Sequence, residues 1–186
     1  MRSVELAGGG RIAAERYVLA AGAWASQLAS AFGEPIRIRP IRGQIVLLRT
    51  DGAVLNRIIQ VGRRYLVPRP DGLVLVGSTE EDVGFAKQTT AAAVRELIDF
   101  AIRLVPRLRD AEVVRTWAGL RPAAERGLPY LGPMPGIDNL FVAAGHFRSG
   151  LQNSPGTAVL VREMVLEQPL SLACDAFAVV TDRSHV

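Results

Sequence analysis

The spacing of apolar side chains changes along the chain, and the changes mark the predicted strands and helices. Alternation or short apolar runs predict strands, which cover residues 36–39, 43–49, 57–61, 64–68, 73–76, 112–119 and 140–144. A glycine-rich turn at residues 8–10 predicts a hairpin between residues 3–7 and 11–20. Helical spacing predicts helices over about 23–32, from Thr89 or Thr90 to Pro106, and over about 155–167.

The order of these elements predicts the fold class. Closely spaced strands come first, followed by one amphipathic helix, further strands and a last helix. This order differs from the regular alternation of strand and helix that produces a parallel sheet. The sequence therefore predicts an α+β fold, with a mostly antiparallel sheet flanked by helices.

Composition narrows the class of protein. A hydrophobic content of 49% and a charged content of 22% are typical of globular domains. Because the chain has neither a run long enough to span a bilayer nor an apolar signal core, we expect a cytoplasmic protein that does not enter membranes. Dispersed arginines and an aromatic content of 6% argue against nucleic-acid binding. Two histidines and one cysteine, Cys174, argue against a metal site and an internal disulfide.

Three segments place glycine beside polar or charged residues where a predicted strand ends. Residues 20–24 and 144–152 each pass from a buried strand towards a helix, whose first N–H groups can bind an anion. Arg121 follows a predicted strand and precedes a proline, so we expect its side chain to project beyond the sheet. Simpler interpretations remain open: strand–helix packing at Gly22, a surface ion pair at Arg121 and a core histidine at His146.

Together with other segments, these three resemble the glycine oxidase branch of the D-amino-acid oxidase family. The matching segments, in the family's order, are residues 21–24, 65–69, 76–79, 117–122, 129–132 and 144–150. The two most specific read Trp-Ala-Gly-Leu-Arg-Pro and Gly-His-Phe-Arg-Ser-Gly. The resemblance implies that residues 1–35 are a remnant of the FAD-binding domain. It also implies that residues 36–120 form the substrate-binding domain and that residues 121–186 return to the flavin site and supply the C-terminal helix.

The resemblance further implies a reaction and a set of site residues. Members of the family bind FAD and oxidise a small amino acid by hydride transfer from Cα to flavin N5. Arg121 corresponds to the residue that holds the substrate carboxylate, Tyr65 to the tyrosine that assists it, and Arg148 to an arginine near flavin and substrate. The residues that the resemblance places at the cofactor are Ala21, Gly22, Trp24, His146, Ser149, Gly150, Leu151 and Gln152.

One expected motif of the family is not found in this sequence. Residues 8–13 do not form the G-x-G-x-x-G turn that binds a dinucleotide, because no buried strand precedes them and a strand follows them. We therefore expect amino-acid oxidase or dehydrogenase activity only when a dinucleotide-binding part completes the site. Either self-association into a homo-oligomer or pairing with a separate FAD-binding chain is expected to cover the apolar surface that normally packs on the FAD domain. The alternative is a catalytically inactive, truncated module that binds a small carboxylate or an FAD-binding subunit.

Overall fold

A computed structural model describes residues 1–33 and 36–179 of the chain. Glu34, Pro35 and residues 180–186, which fall in the predicted segments 1–35 and 121–186, lie outside the described residues. The chain forms two compact units. The first unit comprises Met1–Arg39 and Arg121–Val186, and the second comprises Pro40–Leu120.

The second unit is built on a five-stranded sheet with the strand order β5-β6-β7-β4-β8. Its strands are β4 (Ile38–Arg49), β5 (Ile59–Val61), β6 (Arg64–Pro68), β7 (Leu73–Gly77) and β8 (Glu112–Ala124). Neighbours from β5 to β4 pair antiparallel, as their short connections require. The sheet prediction is thus confirmed for these strands.

One long helix, α2 (Ala91–Leu104), covers this sheet. It begins where the side chain of Thr90 accepts a hydrogen bond from the Ala93 N–H, and it gives way at Pro106 to a short 3-10 turn. Leu97, Phe100 and Ala101 face inward because they share one face at helical spacing. They pack in one apolar core with side chains of the sheet, among them Val46, Leu48, Leu66, Val74 and Val76.

The first unit contains a three-stranded sheet in the order β3-β10-β9. Its elements are β1 (Val4–Glu5), β2 (Arg11–Ile12), β3 (Tyr17–Leu19), α1 (Ala25–Ser30), β9 (Tyr130–Pro133), β10 (Leu140–Ala144) and α3 (Gly150–Val165). β10 pairs parallel with β3 and antiparallel with β9. Tyr17, Ala25, Tyr130 and Val142 belong to the core of this unit. In the described part of the chain, no helix combines the length and apolar character needed to cross a bilayer.

The first unit also corrects three element boundaries. The predicted strand 11–20 is two strands, since β2 pairs with β1 while β3 pairs with the distant β10. β8 continues to Ala124, so Arg121 lies inside a strand and not after one. α3 begins at Gly150 and not near Pro155. Pro155 is tolerated inside the helix because the Ser154 hydroxyl donates to the Leu151 carbonyl, which a proline at 155 leaves without an N–H partner.

Candidate active site

The carboxyl ends of two neighbouring strands meet at one edge of the first unit. In the parallel pairing of β3 and β10, Leu19 lies opposite Val142, so both strands run out at the same edge. Ala21 and Gly22 follow β3, and Gly22 has a positive φ of 54° and open space where a Cβ would lie. Trp24 stands next to this opening with 44% of its surface exposed. Ligands of α/β sheets commonly bind outside such carboxyl ends.

β10 ends at a glycine that its surroundings require. Gly145 has φ of 92°, and a Cβ placed there would lie 3.0 Å from the Cβ of Ala124 at the end of β8. Its backbone conformation and the close approach of β8 therefore both select glycine. Two residues later, Phe147 also has a positive φ, of 52°, which is costly for a bulky residue. These two residues turn the chain sharply between β10 and α3.

The end of β8 runs beside this turn, close in sequence to two predicted site arginines. Ala123 and His146 form an antiparallel bridge. After His146 the chain turns into a 3-10 helix, Phe147–Ser149, so the pairing with β8 does not continue. Arg121 and Ala123 share one face of β8, since side chains alternate along a strand. Arg121 therefore lies close to the bridge along β8, and Arg148 lies close to it along the turn.

The N-terminus of α3 follows directly. Ser149 occupies the N-cap position, but its side chain makes no capping hydrogen bond, and the first turn of the helix carries no acidic residue. The first N–H groups of an α-helix have no partner within the helix, and this end carries about half a positive charge. Gly150, Leu151 and Gln152 form this first turn, and Leu151 is 89% exposed. This end of α3 can therefore receive a negatively polarised group.

His146 connects the turn to the body of α3. Its Nε2 lies 2.9 Å from the Thr157 Oγ1, two helical turns into α3. Burial lowers the pKa of His146, which keeps the imidazole neutral at pH 7. The ring of this half-buried residue therefore contacts α3.

A groove of about 560 Å³ lies along α3 on the side of the loop at residues 127–129. Three predicted site residues line it: His146, Ser149 and Gln152. Leu131, Leu160 and Phe177 supply apolar walls, while Asn153 and Thr157 add polar groups. The groove thus continues the polar surface of the helix N-terminus within the first unit.

Tyr65 belongs to the second unit, in β6. It pairs across the sheet with Gly77 of β7, and its ring lies directly over that glycine. Its hydroxyl has no hydrogen-bond partner among residues 1–33 and 36–179, and it is not among the buried unsatisfied atoms. The hydroxyl is therefore open to a ligand, whereas the hydroxyls of Tyr17 and Tyr130 are bonded to backbone carbonyls.

Sequence reasoning gave no role to several residues that shape these places. Thr157 fixes His146, Gly145 admits β8, and Gly77 admits the ring of Tyr65. A glycine inside a strand signals close approach by a neighbour, but the predicted strand ended at residue 76, and only the structure extends β7 to Gly77. Thr157 offers none, because its partner is eleven residues away in the chain.

Comparisons with known proteins point to one family. The family model described as DAO, FAD dependent oxidoreductase, matches residues 2–164. The chain is 40% identical over 156 residues to the glycine oxidase of Pseudomonas putida, covering 84% of this chain and 43% of that protein. It is 40% identical over 159 residues to hydrogen cyanide synthase subunit HcnC of Pseudomonas protegens, covering 85% of this chain and 38% of that protein.

The fold comparison gives the same result. The crystal structure of glycine oxidase from Geobacillus kaustophilus matches with a TM-score of 0.91 at 34% identity, covering 99% of this chain and 49% of that chain. The chain therefore spans less than half the length of the relatives it matches.

Proposed function

This chain belongs to the FAD-dependent oxidoreductase family, and we propose that it supplies the substrate-binding and flavin-facing part of an enzyme that oxidises a small amino acid. The observation that carries the proposal is the bridge between Ala123 and His146. It places the strand of Arg121 beside the turn that leads through Arg148 to the N-terminus of α3. A carboxylate-binding cation and a site for negative charge thus belong to one unit.

The residues at the strand ends fit the flavin end of FAD. The open space at Gly22 would allow a planar ring to approach the backbone closely. The N-terminus of α3, which has no side-chain cap, would stabilise negative charge on the pyrimidine part of the ring. When bound, FAD supplies the acceptor for the two electrons that leave the amino acid.

The phosphates of FAD are expected to be held by a different segment. Residues 8–13 lie in the exposed hairpin of β1 and β2, so they are not the strand–turn–helix that binds a pyrophosphate. We propose that an FAD-binding polypeptide completes the site. Exposed apolar side chains of the first unit, Val18, Trp24, Leu28 and Leu151, would be covered by it.

Within this proposal, the protein side chains bind and orient the substrate. The guanidinium of Arg121 would hold the carboxylate through two parallel hydrogen bonds, which fixes both the position and the plane of that group. The resemblance to the family gives the hydroxyl of Tyr65 an assisting role in holding the substrate. Fixed contacts to one end of a small amino acid leave its Cα–H in a single orientation, which is the main requirement for hydride transfer.

A chimera tests the proposal directly. The segment of Pseudomonas putida glycine oxidase that this chain matches would be replaced by this chain, so that the remainder of that enzyme supplies the dinucleotide-binding part. We expect glycine to bleach the flavin absorbance without oxygen and to yield peroxide with oxygen. Reduction of an artificial acceptor without peroxide would indicate a dehydrogenase.

Substitution of Arg121 tests the assigned role. Arg121→Ala should lower kcat/KM for glycine by about a hundredfold or more, since hydrogen bonds to charged groups contribute about 1.5–3 kcal/mol each. Arg121→Lys cannot form the bidentate contact, so its kcat/KM should lie between those of the unsubstituted chimera and Arg121→Ala. Arg103→Ala, an exposed arginine at the end of α2, is the matched control. Normal turnover by Arg121→Ala would contradict the carboxylate role.

The competing proposal, an inactive module that binds a small carboxylate, gives a different result. If it is correct, glycine or acetate should stabilise the unmodified chain against heating. The chimera should then show no flavin reduction by glycine. The hairpin at residues 8–13, which is not a G-x-G-x-x-G turn, is the observation that favours it. The proposed partner is tested by repeating the thermal assay after adding an FAD-binding polypeptide. Size-exclusion chromatography then shows whether the two bind.

A further inference from the structure

The most informative contact outside the helix N-terminus is the packing of Tyr65 on Gly77. A Cβ added to Gly77 would lie 2.4 Å from Cζ, 2.5 Å from Cε2 and 2.6 Å from the hydroxyl oxygen of Tyr65. The outer half of the ring, with its hydroxyl, thus occupies the place of the missing side chain. Any other residue at position 77 must displace the ring, since real Cβ contacts are never this short.

We infer that Gly77 is a positioning residue that sets where the Tyr65 hydroxyl stands, and thereby how tightly the substrate carboxylate is held. Only the second half of this inference, the effect on substrate binding, rests on the proposed function. Gly77 has no positive φ, so the backbone does not require glycine here. The close approach of the Tyr65 ring is therefore the reason for glycine at this position. The paired partners Tyr65 and Gly77 form the cross-strand contact in which an aromatic ring covers a glycine.

The backbone beside Gly77 is held by a bulge in the sheet. Ile45 pairs with Gly77, and Arg42 forms a bridge with Glu81. Between these points, Gly43 and Gln44 face three residues on the opposite segment, so one extra residue is accommodated. Bulges change the direction of a strand and are common next to active sites.

A buried polar network fixes this bulge. Arg42 is 5% exposed and pairs with Glu81, while Gln44 is fully buried and donates to the other oxygen of the same carboxylate at 2.8 Å. The Gln44 N–H donates to the Thr79 hydroxyl at 2.9 Å. Burial works to raise the pKa of Glu81, but hydrogen bonds from Arg42, Thr79 and Gln44 outweigh it and lower that pKa. The segment that follows Gly77 is therefore bonded firmly to β4.

The test uses the unmodified chain labelled with 3-fluorotyrosine. Its three tyrosines give three fluorine resonances, and Tyr65→Phe assigns the one from position 65. We expect Gly77→Ala to move that resonance while those of Tyr17 and Tyr130, in the first unit, stay in place. Gly119→Ala is the matched control, because this strand glycine has no atom within 4 Å of its Cβ position. A Tyr65 resonance unchanged by Gly77→Ala would overturn the inference.

The chimera adds a kinetic measurement that a purely structural role would not affect in the same way. Gly77→Ala should raise KM for glycine by about tenfold and change kcat by less than about twofold. Tyr65→Phe should have the same effect, and the two substitutions together should add nothing further. A full additional loss in the double variant would mean that Gly77 acts independently of the hydroxyl, contrary to the inference.

Two outcomes separate this inference from the proposed function. In the first, Gly77→Ala shifts the Tyr65 resonance, but Tyr65→Phe does not change the kinetics. This result would refute the carboxylate role of Tyr65 and leave the positioning role of Gly77 intact. If Gly77→Ala alone does not fold, the double variant Gly77→Ala/Tyr65→Ala is expected to fold, because it removes the atoms that the new methyl group meets. Failure of that double variant to fold would refute the Tyr65 contact as the reason for glycine.

Discussion

The two units differ in how far their elements cover one another. In the second unit, α2 lies on the sheet, its N-terminus is capped by Thr90, and its inward face is buried. In the first unit, α3 has no side-chain cap, and residues 151–156 are all exposed. A helix that is complete in itself stabilises its unit, whereas a helix with an open N-terminus retains groups that can bind a ligand. We therefore expect substitutions in α2 to affect stability more strongly than substitutions in the first turn of α3.

The largest expected difference concerns one leucine in the middle of α2 and one in the first turn of α3. Leu97 of α2 is fully buried, whereas Leu151 of α3 is 89% exposed. Leu97→Ala should lower the free energy of unfolding by about 3 kcal/mol, because it leaves a cavity in the core. Leu151→Ala should change it by less than about 0.5 kcal/mol. Chemical denaturation of both variants checks this, and equal losses would show that the two helices are covered alike.

A smaller difference concerns the helix caps. Thr90→Ala removes the side chain that accepts from the Ala93 N–H at 3.3 Å, so we expect a loss of about 1 kcal/mol. Ser149→Ala at the N-cap of α3 removes no capping hydrogen bond and should leave the unfolding free energy unchanged. Thermal denaturation of the two single variants distinguishes them. A comparable loss from Ser149→Ala would mean that α3 is capped after all.

The elements that could be predicted from sequence are those whose signals are local. The limits of α2 follow from Thr90, the spacing of its apolar residues and Pro106, and β6 has the predicted bounds because its turn residues flank it closely. The fold class was likewise predictable, since the short connections dictate antiparallel neighbours. The family followed from motifs in the right order, and the comparisons confirm it.

The features that could not be predicted depend on residues distant in the sequence. The pairing of β3 with β10 joins Tyr17 to Leu140, and no local pattern records it. The continuation of β8 past Pro122 also depends on a distant partner, because Ala123 is bridged to His146. Gly77 was recognised as part of a motif, but its reason is a tyrosine twelve residues earlier on the neighbouring strand. The roles assigned to Arg121, Tyr65 and Arg148 stay predictions until the substitutions are measured.

The smallest expected difference between the units is in their response to acid. His146 has a lowered pKa because burial disfavours its charged form, so its contribution to stability is complete above the ordinary pKa of 6.5 and is lost as pH falls through the lower folded value. Glu81 also has a lowered pKa, from an ordinary value of 4.5, because hydrogen bonds and the charge of Arg42 outweigh burial. The contribution of Glu81 is complete above pH 4.5 and is lost only in stronger acid.

His146→Gln should therefore make the free energy of unfolding less dependent on pH below 6.5, and Glu81→Gln should do so only below pH 4.5. Denaturant titrations at a series of pH values measure both slopes. If His146→Gln leaves the upper slope unchanged, the acid sensitivity of the first unit has a source other than the imidazole that contacts Thr157.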